Sequence, residues 1–493
     1  MVTACCLITL SAGTQVPPAG AQSNAFIGHV GRWLVDATGR VVFVHGFNMV
    51  NKVAPYEPSA VGFGNNDATF LQDHGFNVIR LGVLYAGVEP EPGRFDAGYV
   101  SSIQRTVEVL ADHHIYTLLD FHQDQLDEAF GGEGFPAWSV DDNGAPTQNI
   151  RFPAGYTSSP ALNAAYQNFW ANTPGPGGVG LQQRYADAWK YVATRFANDP
   201  WVLGYDLFNE PWPPNVNEGA AATALLASFY KRVISSIRTV DKGHLIFYEP
   251  WVLFNFSLQT TLSLLGDSNL AMSYHDYCSG PVTAASCPAS EVDTITNAIE
   301  HVRSTGDGLL LSEFGAETDL SDLTRVTSDA NTGLQSWIEW AYCGCNDPTG
   351  SDPPAIEALV YDPSRPPSGT NVNQAKLAVL EQPYATAVAG TPLSMNFDPG
   401  SRTFHLRYST AAVSPRARFG PSTCTLISAP RSVYPDGYTV KVAGGMSVSA
   451  SNAAVIAVTA SRKATAVAVT VRPRRSTGVA GSSSLAGAAA SCA

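Results

Sequence analysis

Charge is scarce in this sequence. Asp, Glu, Lys and Arg make up 14% of its 493 residues, against about 25% in an average soluble protein. There is no Lys/Arg-rich run, and the formal net charge is −13, so the electrostatic footprint of a nucleic-acid binder is missing. An acidic balance also does not favour anionic membrane surfaces. No stretch of about 20 apolar residues occurs, so no membrane-spanning helix is expected. No internal repeat is visible, and the 43 Gly and 33 Pro point to many ordered turns and not to collagen or a solenoid. Two well-spaced Cys pairs with His, the mark of a structural zinc site, are absent; no metal or organic cofactor is expected.

The length suits two or three domains, or one large barrel with an accessory domain. Met1–Ala21 is apolar and small, and Pro18-Ala19-Gly20-Ala21 has the form of a signal-peptidase site. No Lys or Arg precedes the apolar run, so a merely disordered leader is the alternative. A signal peptide over 1–21 implies a secreted protein. Eight cysteines are present, of which Cys5 and Cys6 would leave with the leader. Cys278 and Cys287 flank a Pro/Ser/Ala loop and suit a local disulfide. Cys343-Gly344-Cys345 leaves three readings open: a tight ring, other partners, or free thiols.

From 26 to 382, short apolar runs alternate with amphipathic segments. Eight strands are expected at Val41–Phe47, Asn77–Val83, Tyr116–His122, Val202–Asn209, Leu245–Glu249, Ala271–His275, Leu309–Glu313 and Trp337–Tyr342. Helices are expected at 97–113, 180–197, 220–239 and 291–304. Near-continuous Val/Ile/Leu runs alternating with helices indicate parallel strands buried on both faces, and eight such units suit a (β/α)8 TIM barrel. Phe26–Leu34 is expected to close the barrel floor as a hairpin. The long stretch 123–180 holds Trp138, Phe152, Tyr156, Tyr166, Phe169 and Trp170, which either shape a cleft or pack the loop on itself. After 383 the periodicity becomes two, and 383–471 reads as an antiparallel β-sandwich. The Gly/Ala/Ser-rich tail, 472–493, reads as disordered.

Two glutamates stand in matching contexts, Asn209-Glu210-Pro211 and Ser312-Glu313-Phe314-Gly315. Each ends an apolar run, which places both carboxyls at the C-terminal rim of a barrel on different strands. Paired carboxyls of this kind are what hydrolysis of a glycosidic bond needs. Burial beside a second carboxylate would keep Glu210 protonated as the acid, leaving Glu313 as nucleophile. Arg80, a cation in an apolar strand, needs a partner, and Glu313 is the candidate. His122 and Asp124 follow strand three and suit sugar hydroxyls, as does Asn209. His275 and Tyr277 end strand six, where Tyr277 can donate to Glu313. Trp340 can stack on a sugar ring. Lys52, after strand one, is a further binding candidate with a solvated surface lysine as the alternative.

These residues resemble glycoside hydrolase family 5. Asn209-Glu210-Pro211 is similar to its acid/base motif and Ser312-Glu313-Phe314-Gly315 to its nucleophile motif. Within that family, His45-Gly46-Phe47-Asn48-Met49-Val50-Asn51-Lys52, Asp120-Phe121-His122-Gln123-Asp124, Phe208-Asn209-Glu210-Pro211-Trp212 and Tyr274-His275-Asp276-Tyr277-Cys278 resemble endoglycoceramidases. The resemblance spans roughly 26–471. It implies retaining hydrolysis of the bond between glycan and ceramide in glycosphingolipids, with a possible membrane or micelle surface as the place of action. A β-glucanase or β-glucosidase of the same family and a non-catalytic glycan binder are the alternatives. A lipid aglycone asks for apolar surface near the cleft, and Trp212, Trp251, Phe254 and Phe256 are candidates to line it, with core packing the alternative for each.

Overall fold

The structure is a computed structural model. It describes residues 26–147, 150–214, 219–278, 286–345, 347–350, 353–420 and 422–474. The leader with Cys5 and Cys6, and the tail beyond Arg474 with Cys492, lie outside the described residues.

The chain opens with three short strands, β1 (Gly28–Val30), β2 (Trp33–Val35) and β3 (Val41–Val42). Then come β4 (His45–Met49), β5 (Val78–Val83), β6 (Tyr116–Phe121), β7 (Val202–Asp206), β8 (Leu245–Tyr248), β9 (Leu270–Asp276), β10 (Gly308–Phe314) and β11 (Trp337–Glu339). These eight close into a parallel barrel in the order β10-β11-β4-β5-β6-β7-β8-β9. The Val/Ile/Leu runs form its strands because both faces are covered: side chains fill the interior, and helices cover the outside. At Gly46 a Cβ would lie 1.8 Å from the carbonyl oxygen of Val78, so only glycine lets β4 and β5 approach. The expected helices form at Ala97–Asp112, Leu181–Phe196, Gly219–Ile237 and Cys287–Thr305. The first starts where Asp96 accepts the backbone N–H of Gly98 and Tyr99, which satisfies donors the helix itself cannot pair.

Residues 383–474 continue as β12 (Tyr384–Val388), β13 (Thr391–Asp398), β14 (Thr403–Ser409), β15 (Thr425–Ser428), β16 (Tyr438–Ala443), β17 (Gly445–Ser447), β18 (Val455–Ala460) and β19 (Ala466–Pro473). They make two antiparallel sheets, but one is shared with the N-terminus. Its order is β1-β2-β3-β12-β15-β18-β17, and the other sheet runs β13-β14-β19-β16. This corrects two expectations. Val41–Phe47 is not one strand: Val41–Val42 pair with Val388 and Ala387 of β12, whereas His45 onward pairs in the barrel. A continuous apolar run cannot show that its halves belong to different sheets. The division at 382 also misplaces β1–β3, which belong to the sandwich. The last strand runs to Pro473, two residues into the expected tail.

The hairpin of β1 and β2 does serve the barrel floor. Ile27 and Leu34 pack in one cluster with Val44, Val78, Leu118, Leu203 and Leu310 from the barrel strands. Two disulfides join described residues, Cys278–Cys287 and Cys343–Cys345. Since Leu34 is 2% exposed, Leu34→Ala should cost about 2–5 kcal/mol and lower Tm in calorimetry. An unchanged Tm would show that the hairpin does not seal the barrel.

Candidate active site

The C-terminal ends of the barrel strands converge on Arg80. It is the third residue of β5. Its side chain is fully buried, so it is no substrate-binding group and instead orders the residues around it. Nη1 donates to Asn48 and to Glu313 Oε2, both at 3.1 Å. Nη2 donates to Asn209 Oδ1 at 3.0 Å and Glu249 Oε1 at 2.9 Å. Nε donates to Asp206 at 3.0 Å, and Asp120 Oδ1 lies 3.0 Å from Nη2. Burial alone would lower the guanidinium pKa, but Asp120, Asp206, Glu249 and Glu313 together raise it.

Glu313, on β10, is clamped from two sides. Arg80 holds Oε2, and the Tyr277 hydroxyl donates to Oε1 at 2.7 Å. Burial and the carboxylates of Glu313 and Glu210 push the Tyr277 phenol well above its usual value, so it remains a donor. Glu210 follows β7 in a turn where its own φ is 44°, the left-handed region that non-glycine residues avoid. Its Oε1 accepts from Asn255 Nδ2 at 2.6 Å and lies 2.9 Å from His275 Nδ1. Burial raises the Glu210 pKa, partly offset by His275. One oxygen of Glu210, one of Glu313 and a ring nitrogen of His275 all lie within 4.8 Å of one another. That spacing belongs to the geometry with carboxyls about 5–5.5 Å apart, not to the wider one of about 6.5–9.5 Å.

His275 touches three carboxylates. Besides Glu210, its Nδ1 is 3.6 Å from Glu313, and its Nε2 is 3.3 Å from Glu249. Burial alone would lower its pKa, yet Glu249 and Glu313 raise it well above the ordinary value. Asn209 gives its carbonyl to Arg80 and donates one amide hydrogen to the Gln123 carbonyl at 3.1 Å. His122 Nδ1 donates to Asp120 at 2.7 Å, and the ring stacks on Trp340, 5.2 Å between ring centroids. Its buried Nε2 faces Asp124 Oδ2 at 3.7 Å, too long for a hydrogen bond.

Lys52 is neither solvated nor free. Its Nζ sits 2.7 Å from Asp124, 2.9 Å from Asp347 and 3.5 Å from Glu133, donates to Thr349, and lies 4.5 Å from the Trp340 ring centre. Burial opposes its charge, but Asp124, Asp347 and Glu133 raise its pKa well above the usual one. Asp124, which burial alone would raise, is drawn well below the carboxylate range by Lys52 and His122. Both residues thus form a buried wall beside Trp340 and His122. Among the described residues three clusters have groups spaced as around an ion: Glu210 with His275 and Glu313, His122 with Asp124 and Glu133, and Cys278 with Cys287, Glu291 and Asp322, the two sulfurs of the last being joined in a disulfide and so no thiolate ligands. Each already carries a protein cation, namely His275, Lys52 and Arg325 respectively.

The apolar candidates divide. Trp212 stacks on Tyr156 at 4.8 Å and Phe254 lies edge-on to Tyr274; both are buried packing residues and not groove lining. Trp251 and Phe256 are half-buried, and Leu258 and Leu264 in the same loop are 48% and 63% exposed. Tyr156, Tyr166, Phe169 and Trp170 pack among themselves. Tyr166 also donates to Gln123, whose Nε2 holds the Asn209 carbonyl at 2.8 Å, so this loop braces the turn that carries Glu210.

Two site residues escaped the sequence reading. Asn255 gives no signal beyond lying past β8. Glu249 has one: Glu249-Pro250-Trp251 repeats Glu210-Pro211-Trp212. Its Oε2 accepts the Glu210 backbone N–H at 2.8 Å while Oε1 faces Arg80, so it fixes the strained turn. Burial pushes its pKa up to about 7. The folded chain therefore binds more protons than the unfolded chain between a Glu's ordinary value, about 4.3, and about 7, and stability falls as pH rises through that window. In Glu249→Gln this part of the Tm-against-pH slope should vanish, and kcat should drop at least about tenfold, as for a misplaced reacting group. A variant with the wild-type slope and kcat would remove Glu249 from the site.

Residues 35–345 match the model of Cellulase (glycosyl hydrolase family 5), and 382–472 match the glycoside hydrolase family 5 C-terminal domain. Endoglycoceramidase I of Rhodococcus hoagii is 29% identical over 455 residues, 87% of this chain and 85% of that protein. Endoglycoceramidase of Cyanea nozakii is 31% identical over 424 residues, 77% of this chain and 80% of that one. The structure is similar to endo-glycoceramidase II from Rhodococcus sp. solved as a lactosyl-enzyme intermediate, with TM-score 0.74 and 26% identity over 90% of this chain and 100% of that one. The same relative has been solved as a complex with ganglioside GM3.

Proposed function

The chain belongs to glycoside hydrolase family 5, and on that premise we propose that it is a retaining endo-β-glycosidase that releases the oligosaccharide of glycosphingolipids from ceramide. The observation that carries the chemistry is the close Glu210–Glu313 pair with unequal surroundings. The preference for ceramide is supported by the similarity to endoglycoceramidases through barrel and sandwich alike.

In the first step a Glu313 oxygen, aligned by Arg80 and Tyr277, attacks the anomeric carbon. The bond from that carbon to the ceramide oxygen breaks, and Glu210 gives its proton to the departing oxygen. The product is a glycosyl ester on Glu313. Glu210, now a carboxylate beside His275, takes a proton from water; the hydroxide attacks the anomeric carbon and the ester bond breaks. Both inversions occur at one carbon, so its configuration is retained. To Asn209 and His122 we assign hydroxyls of the cleaved sugar, and to Trp340 the stacking of its ring.

The leader composition supports an enzyme acting outside the cell, on substrate held in a membrane or micelle. Leu258 and Leu264 are exposed, and Trp251 and Phe256 half-buried, in the connection that follows β8 and carries Asn255; we assign them the contact with the lipid part of the substrate. Glu210→Gln and Glu313→Ser should each lower kcat on a ganglioside by at least about 1,000-fold, the scale on which loss of an essential group acts. Mass spectrometry of wild-type products should show ceramide and intact oligosaccharide; stepwise loss of single sugars refutes endo cleavage. Leu258→Asp with Leu264→Asp should raise KM for glycolipid and spare a soluble aryl β-glycoside. Equal loss on both substrates counts against that contact.

A further inference from the structure

The chain's net charge conceals a partition. Residues 1–382 hold 40 Asp and Glu against 18 Lys and Arg, whereas residues 383–493 hold 11 Lys and Arg against two acids, Asp398 and Asp436. An acidic barrel is thus joined to a basic sandwich. The ion pairs among the described residues lie before residue 383, and the described cations beyond residue 383 enter none of them.

Several of these cations share one flat face. In the sheet β13-β14-β19-β16, alternate residues such as Phe404, Leu406, Tyr408, Val467, Val469 and Val471 fill the sandwich core. Period two sends the others outward. Arg407 on β14, Arg472 on β19 and Lys441 on β16 are exposed. Arg407 pairs with Ala468 and Ala468 with Ala443; Lys441 pairs with Thr470, and Thr439 with Arg472. With strands about 4.8 Å apart and about 6.7 Å between alternate residues, the three cations fall within about 15 Å of one another. Arg462 and Lys463, exposed in the turn before β19, extend the patch at the Arg407 end. The outward acid on these strands, Asp398, is the last residue of β13 and accepts from Ser401 and the Gly400 N–H.

Most outward positions between the cations are small or polar: Ser394, Asn396, His405, Thr439, Ala443, Ala468 and Thr470, with Leu393 the exposed apolar side chain on the edge strand β13. No Trp, Tyr or Phe stands there, so the face lacks the stacking platform that sugar rings or single-stranded bases use. A flat cationic face without stacking groups matches an array of lipid headgroups. We propose that this face docks the enzyme on a bilayer carrying anionic phospholipid. The inference rests on the reading of the substrate as a membrane glycolipid. It also revises what the overall charge implied, because the acidic barrel is repelled by such a surface while the sandwich is drawn to it. The two effects act within a Debye length of about 10 Å at 0.1 M salt and together orient the molecule sandwich-first.

The test is cosedimentation of the full chain with phosphatidylcholine vesicles, with and without phosphatidylserine. The wild type should bind the serine-containing vesicles alone and be released at about 1 M salt, where screening shortens to about 3 Å. Each basic residue near the surface contributes about a fivefold gain in binding, so R407E/K441E/R472E should weaken binding by more than about 100-fold. Its hydrolysis of a soluble aryl β-glycoside should equal the wild type's. Equal binding to both vesicle types, or an unaffected triple variant, overturns the proposal. So does a salt-sensitive dimer without vesicles that the variant abolishes, since that assigns the face to a second copy's acidic barrel. Failure to cleave glycosphingolipid in detergent micelles, with aryl glycoside still cleaved, would refute the substrate reading and leave the vesicle result standing.

Discussion

One buried guanidinium organises the catalytic end of the barrel. From β5, Arg80 reaches groups that follow or belong to β4, β6, β7, β8 and β10, and four of its neighbours are carboxylates. A single positive charge cannot balance four negative ones in a water-poor interior, where desolvation penalises each. The excess is relieved in two ways. His275 is held protonated among Glu210, Glu249 and Glu313, and the carboxyls of Asp206, Glu210 and Glu249 have raised pKa values. The acid needed for leaving-group protonation is thus a consequence of charge crowding, and the same crowding lets one arginine align the opposing Glu313.

The positions of these groups depend on features far from the chemistry. Glu210 can occupy its left-handed backbone because Glu249 receives its N–H and the 123–180 loop, through Tyr166 and Gln123, holds the neighbouring carbonyl. The barrel floor is sealed by a hairpin whose strands are part of the sandwich sheet. Barrel and sandwich therefore share a structural element, and the sandwich brings a charge of opposite sign to the barrel's.

Much of this was legible in the sequence. Apolar runs alternating with amphipathic segments gave the barrel and its strand count, since a parallel strand buried on both faces needs such a run. Glu210 and Glu313 were visible because an acid at the end of an apolar run is costly without a purpose. The sequence left Lys52 open between a binding residue and a surface lysine, because its carboxylate neighbours, Asp124, Glu133 and Asp347, lie far away in sequence. It left Trp212 and Phe254 open between groove and core, because position after a strand does not tell which way a side chain turns. Glu249 was missed although its Glu-Pro-Trp context repeated the one around Glu210.

By itself the sequence determined the kind of fold, the family likeness and the two acids, because periodicity and short motifs are local properties of a chain. The tertiary structure alone decided which cation faces which carboxylate, that Val41 and His45 enter different sheets, and that cations spread over β14, β16 and β19 lie on one surface. Those outcomes depend on distances between residues remote in sequence, and strand pairing, not chain order, sets such distances.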